Sequence, residues 1–180
     1  MHSVRRTVVI AALTVGMCAV PAVLTTAQAT AASGASAEKA ATNWPLVQKG
    51  DTGGRVRAIQ YLLNQQIRAH LTVDGVFGTK TANAVMAFQK KVGIMPVPWV
   101  GQKTWPKLII TVKSGDRSAA VRAVQWQLSN EYGYTSVKVD AIFGSKTLTA
   151  VKSFQMKFKL MPVNGIVGPS TWLALEANHK

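Results

Sequence analysis

Eighteen residues starting at Val73, VDGVFGTKTANAVMAFQK, return at Val139 as VDAIFGSKTLTAVKSFQM. This duplication constrains the fold more than any bulk property. Aligning Val47–Leu108 with Val112–Leu175 needs an offset of 65 at Gly50-Asp51, 66 at Phe77-Gly78 and 67 at Thr104-Trp105. Two single-residue insertions therefore separate the copies. Of the 62 positions in the first copy, 27 are identical in the second, far more than shared composition gives. Self-similarity of this kind marks a duplicated structural unit. Two units are too few for a solenoid, so each is expected to carry its own core.

Each copy reads as three helical stretches. In the first, Val56, Ile59, Leu63 and Ile67 recur at helical spacing, as do Val121, Val124 and Leu128. Asp51 or Thr52 is placed to cap the free amides of that helix, and Gly115-Asp116 repeats the signal. In the second, Ala82, Val85, Phe88 and Val92 form an apolar stripe, matched by Val151, Phe154 and Phe158. The third is short. Pro169 opens it in copy two, at a position where a missing amide costs nothing. Pro106 follows Trp105 in copy one and forces a late start or a lost hydrogen bond. A unit of about 65 residues buries only about 60% of its unfolded surface. Its large residues are therefore needed inside: Phe77, Phe88 and Trp105, with Phe143, Phe154 and Trp172.

The amino end has a different character. Arg5-Arg6 precedes an uncharged, mostly apolar run from Thr7 to Leu24, followed by small residues with A-x-A patterns at Ala27–Ala29 and Ala29–Ala31. That order reads as a secretory signal peptide over residues 1–31. Residues 32–43 are small and polar and read as a flexible leader. The two copies then occupy residues 44–110 and 111–178. The one cysteine, Cys18, falls in the signal segment, so the exported chain would have neither disulfide nor thiol nucleophile. The chain has 21 basic and 7 acidic residues, net +14. Removing Arg5 and Arg6 leaves 19 against 7, or +12. Such a charge attracts polyanions, and outside a cell an anionic wall polymer is the first candidate.

Three motifs occur in order, twice: G-D-x-x-x-x-V-R-A-x-Q-x-x-L, then V-D-x-x-F-G-x-K-T-x-x-A-V-x-x-F-Q, then V-G-x-x-T-W-x-x-L. The series resembles the peptidoglycan-binding domain family, three-helix modules found beside many cell-wall hydrolases. The match runs from Trp44 to Ala177. The resemblance implies an all-α fold of two tandem three-helix domains. It also implies a non-catalytic protein that binds bacterial peptidoglycan, through glycan strands or stem peptides, at the wall or outside the cell. No cofactor or metal is implied, and no membrane contact once the signal is removed. Anionic wall polymers and a cell-wall enzyme are further expected partners. The alternatives are a basic binder of teichoic or nucleic acid on the same fold, and a cryptic wall hydrolase using an aspartate pair. Copy two departs from the family in having Ala141 after Asp140 where copy one has Gly75. Positive φ at that place would strain an alanine. In the second loop, copy two has Asn164-Gly165, and copy one has Pro98-Trp99, one residue shorter.

A hydrolase needs an activated group. His70 and His179 stand alone in sequence, with no His-x-His or His-Glu-x-x-His spacing for zinc. Asp51, Asp74, Asp116 and Asp140 fall in equivalent turns, where an aspartate most often accepts from its own backbone. Binding needs only an exposed patch. Arg57 and Tyr61 are four residues apart and share a helix face, and copy two repeats them as Arg122 and Trp126. An aromatic ring can stack on a sugar and an arginine can hold a carboxylate. Lys80 and Lys146 follow the Phe-Gly turns near Asp74 and Asp140. Trp99, in a loop with no equivalent in copy two, is either a ligand platform or a wedge between the copies. These nine residues are the candidate ligand-binding set, and no catalytic residue is expected.

Overall fold

A computed structural model describes residues 43–177. The signal segment, most of the leader and His179 lie outside the described residues. Copy one runs β1 (Val47–Gln48), α1 (Gly54–Ile67), α2 (Thr79–Lys91), β2 (Trp99–Val100) and α3 (Trp105–Leu108). Copy two runs α4 (Ala119–Asn130), α5 (Ser145–Lys157) and α6 (Pro169–Ala177). The fold is all-α with one two-residue ribbon, β1 antiparallel to β2 with Val47 opposite Val100. Copy two keeps only a single bridge there, Val112 to Val167.

Helical periodicity places the core. Val56, Ile59, Leu63, Val121, Val124 and Leu128 are buried, and so are all six large aromatics named above. Burying such a side chain contributes about 1.5–3 kcal/mol. Polar atoms on the aromatics find partners. Trp105 Nε1 donates to Pro45 O at 2.9 Å, and Trp172 Nε1 donates to Ile110 O at 2.8 Å. Ile110 lies in the short joint after α3, so the joint is tied to the core of copy two. Trp44 stacks on Trp105, centroids 5.6 Å apart, which fastens the entry segment to copy one.

Capping differs from the sequence expectation. Asp51 does not cap α1; its carboxylate accepts from Gln48 N at 2.8 Å, as Asp116 does from Lys113 N. Gly53, with φ 106, stands at the cap position and has no side chain to offer. Copy two has Ser118 there, and its hydroxyl accepts from Val121 N. Pro106 falls in the first turn of α3, where amides have no intrahelical partner, so it is tolerated.

The two copies meet through α1 and α4. Gln65 near the end of α1 accepts from Ala120 N at the start of α4, at 2.7 Å. At the other end, a Cβ added to Gly54 would lie 2.7 Å from Glu131 Oε1 and 2.8 Å from Trp126 Cζ3. The helices are thus antiparallel, and each presents its start to the other's end. α1 has no acidic residue in its first turn, and the Glu131 carboxylate supplies the favourable negative charge from across the seam.

Candidate functional site

The loops of both copies hang from buried glutamines. Gln60 Nε2 donates to Asp74 Oδ1 at 2.8 Å, to Val76 O at 3.1 Å and to Thr81 Oγ1 at 3.3 Å, while its Oε1 accepts from Gly75 N. Gln125 repeats this in copy two with Asp140, Ile142 O and Thr147, and accepts from Ala141 N. The second loops use the same device. Gln155 donates to Ile166 O and Thr171 Oγ1 and accepts from Gly165 N. Gln89 donates to Trp99 O and Thr104 Oγ1 and accepts from Val97 N. Each domain is therefore two half-units of one design: a helix glutamine clamping a V-x-x-x-x-G-x-x-T loop, shortened by one residue in Gln89's case. Buried amides must be satisfied, and one glutamine serves a whole loop.

This cradle explains the loop carboxylates. Asp74 Oδ1 also accepts from Val76 N, and Asp140 Oδ1 from Ile142 N. The hydrogen bond from Gln60, then that from Val76, holds the Asp74 carboxyl below the usual range. For Asp140 the Ile142 amide comes first and Gln125 second, with the same direction. Ala141 has φ 66 where Gly75 has φ 74, so the alanine sits in the left-handed region as the sequence suggested.

A groove opens beside the cradle in several half-units. In copy one the second-loop groove, of about 270 Å³, is lined by Ile94, Met95, Val97 and Trp99 and by Gln102, Lys103 and Thr104 just ahead of α3. In copy two the equivalent groove, of about 130 Å³, is lined by Leu160, Met161, Pro162, Ile166 and the start of α6. Their rims are apolar and open: Met95 is 75% exposed, Met161 81% and Trp99 40%. A third groove, of about 220 Å³, lies at the first loop of copy two and is lined by Lys138, Asp140, Ile142, Ser145, Lys146 and Thr147. A larger cavity of about 390 Å³ lies at the seam, between Leu46–Val56 and Glu131. One of its charged walls is engaged, with Arg55 Nε donating to Glu176 O.

The nine candidate residues separate into groups. Trp99 lines the copy-one groove with residues of copy one alone. Asp140 and Lys146 line the first-loop groove of copy two, and Asp74 and Lys80 hold the equivalent exposed positions in copy one. The α1 and α4 residues are arranged otherwise. Arg57 does not rest on Tyr61; its guanidinium lies 5.1 Å from the centre of the Trp126 ring in the other copy, and its Nη1 donates to Val73 O at 2.7 Å. Tyr61 packs partly buried against the core, and Arg122 is exposed. Sequence reasoning missed the four glutamines, although each stands in a repeated motif, Gln60 and Gln125 in V-R-A-x-Q and Gln89 and Gln155 in A-V-x-x-F-Q. It also missed Met95, Met161 and Lys138. Among the described residues no three His, Cys, Asp or Glu side chains gather as metal ligands, and no helix is long and apolar enough to cross a membrane.

Two half-unit pairs in tandem, with grooves at repeated places, define a small modular binding fold. The sequence profile of the family described as "Putative peptidoglycan binding domain" matches residues 52–107 and 117–175. The chain belongs to that family. It is 30% identical over 156 residues to a "Probable N-acetylmuramoyl-L-alanine amidase" of Bacillus licheniformis, covering 70% of this chain and 43% of that protein. It is 43% identical over 76 residues to an "Uncharacterized protein in bpoA1 3'region" of Kitasatospora aureofaciens, covering 42% of this chain and 61% of that protein. The chain thus spans less than two thirds of either relative. A crystal structure of a peptidoglycan-binding protein from Clostridioides difficile shares 41% identity over 38% of this chain and 41% of that one, with a TM-score of 0.35.

Proposed function

We propose that this chain is an exported, non-catalytic protein that binds bacterial peptidoglycan through one second-loop groove in each copy. The observation that carries this is the recurrence of the groove at the same place, with an exposed apolar rim in both copies. Trp99 and Met95 in one, and Met161 and Ile166 in the other, offer flat or adaptable apolar contact to a sugar ring or an acetamido methyl. We assign Arg57 and Trp126 to holding the copies together. The charge of +12 left once Arg5 and Arg6 are removed, 19 basic against 7 acidic residues, adds long-range attraction to a wall carrying anionic polymers, and salt weakens it. Two grooves on a repetitive polymer raise avidity by about 10²–10⁴-fold over one. A cell-wall enzyme is a natural partner for such a targeting module.

The loop aspartates do not have the character of a glycosidase general acid. A glycosidase general acid needs a raised pKa, and Asp74 and Asp140 are both lowered by the hydrogen bonds that hold them. The test is co-sedimentation with purified sacculi, before and after acid stripping of anionic polymers, at low and high salt. Pelleting should survive both treatments, and Trp99→Ala with Met161→Ala should weaken it about tenfold, the loss of roughly 1.4 kcal/mol. Binding abolished by stripping or by moderate salt would make the protein a polyanion binder instead. Soluble muropeptides released from the sacculi would make it a hydrolase.

A further inference from the structure

The first-loop groove of copy two is the same construction as the second-loop grooves with a more basic lining, since the copy-one second-loop groove has one lysine, Lys103, and the copy-two one has none. Gln125 clamps its loop as Gln155 clamps the second. Ile142 stands where Ile166 stands, and Thr147 where Thr171 stands. Four lining positions differ: Asp140 stands where Asn164 stands and Ser145 where Pro169 stands, and the other two bring in lysines. Pro162 is replaced by Lys138 and Ser170 by Lys146, so two ammonium groups flank a cavity of about 220 Å³. Asp140 shares the wall, but its Oδ1 already accepts from Gln125 and from Ile142 N. The groove therefore carries one net positive charge next to the Ser145 hydroxyl.

We infer that this groove is a carboxylate-binding site for the stem peptide of peptidoglycan, separate from the apolar grooves that take the glycan. The inference rests on the peptidoglycan reading and adds a second ligand chemistry to it. A stem peptide carries free carboxylates at its acidic residues and its end. Two lysines held by one loop and one helix start meet such a group with charge-assisted hydrogen bonds, which are about twice as strong as neutral ones. Copy one has Lys80 at the position of Lys146 but Thr72 at that of Lys138. The first loop of copy one thus offers one ammonium against the Asp74 carboxylate and is the weaker site.

The full-length chain is titrated with two probes: peptide-free glycan strands, prepared by amidase digestion of sacculi, and a free stem tetrapeptide. Lys138→Gln with Lys146→Gln should weaken tetrapeptide binding about tenfold and leave the glycan affinity unchanged. Lys138→Arg with Lys146→Arg should retain the tetrapeptide, and Thr72→Lys should add a second tetrapeptide site. Lys49→Gln with Lys113→Gln, which line neither type of groove, removes the same charge as a control. The inference is overturned if the glutamine pair leaves tetrapeptide binding intact, if both probes weaken equally, or if the control pair does the same. A parent chain that binds glycan but not tetrapeptide overturns this inference alone. One that binds neither overturns the wall reading as well.

Discussion

Copy one has Gly75 where copy two has Ala141, yet the backbone is the same, at φ 74 and 66. The same glutamine oxygen accepts the amide in each case, Gln60 from Gly75 and Gln125 from Ala141. The loop conformation is thus imposed by the clamp and not by the residue that occupies it. Other differences follow a similar rule. Gly53 gives no cap to α1, whereas Ser118 caps α4. α3 has four residues and α6 has nine, yet Trp105 and Trp172 are buried equally and each donates its indole N–H to the backbone 60 or 62 residues earlier. What the copies share is buried polar satisfaction, and what they vary is the rim.

The strongest break of this comparison removes a core tryptophan from one copy. Trp105→Ala and Trp172→Ala should each cost about 3–5 kcal/mol. The α1–α4 seam couples the copies, so denaturant unfolding should stay a single transition with a lowered midpoint. A transition left at the parental midpoint after Trp172→Ala would show that copy one folds alone.

The seam itself is asymmetric, because Gly54 pairs by position with Ala119. Gly54→Ala would push against Trp126 and Glu131, and overpacking of this kind costs about 1–3 kcal/mol. Ala119→Gly removes a half-buried methyl at the first position of α4 and should cost no more than about 1 kcal/mol. Thermal unfolding of both variants checks the order. If Gly54→Ala is neutral, Glu131 swings away freely and the copies are not held by close approach at this point.

The sequence made the helices and their cores legible because 3.6-residue periodicity and large aromatics act locally. Phe77, Phe88, Trp105, Phe143, Phe154 and Trp172 are all essentially buried. The seam was not legible. A repeat says that two units exist but not which faces meet. Arg57 and Tyr61 do share a helix side by spacing, but what lies over Arg57 is Trp126, 69 positions further along the sequence. Local rules also assigned the α1 cap to Asp51 or Thr52, since such side chains before a helix are good caps. The cap position falls two residues later, at Gly53 and Ser118, and in both copies the aspartate accepts from the backbone behind it, Asp51 from Gln48 N and Asp116 from Lys113 N. The glutamine clamp was visible as four recurrences. A buried glutamine, however, reads as a surface residue until its loop partners are known, since glutamine is mostly exposed.

The smallest and most specific test exchanges the two loop residues. An L-residue in the left-handed region costs about 1–2 kcal/mol relative to glycine. Gly75→Ala takes on that cost, and its Cβ also comes within 3.0 Å of Arg57 Nε and 3.3 Å of Gly53 O. It should destabilise by about 1–2 kcal/mol. Ala141→Gly relieves the same strain, but glycine gains entropy in the unfolded chain, which offsets part of it. The net stabilisation should be about 0.5 kcal/mol. The asymmetry of the pair is informative. If Ala141→Gly leaves stability unchanged while Gly75→Ala still costs its full amount, strain at φ 66 is negligible. The penalty in copy one then comes from the crowded Arg57 side chain. That result would tie the first loop of copy one to the seam, because the same arginine lies over Trp126. If both variants shift stability as expected, the backbone alone accounts for the difference, and the clamp of Gln125 is strong enough to hold an alanine where glycine is preferred.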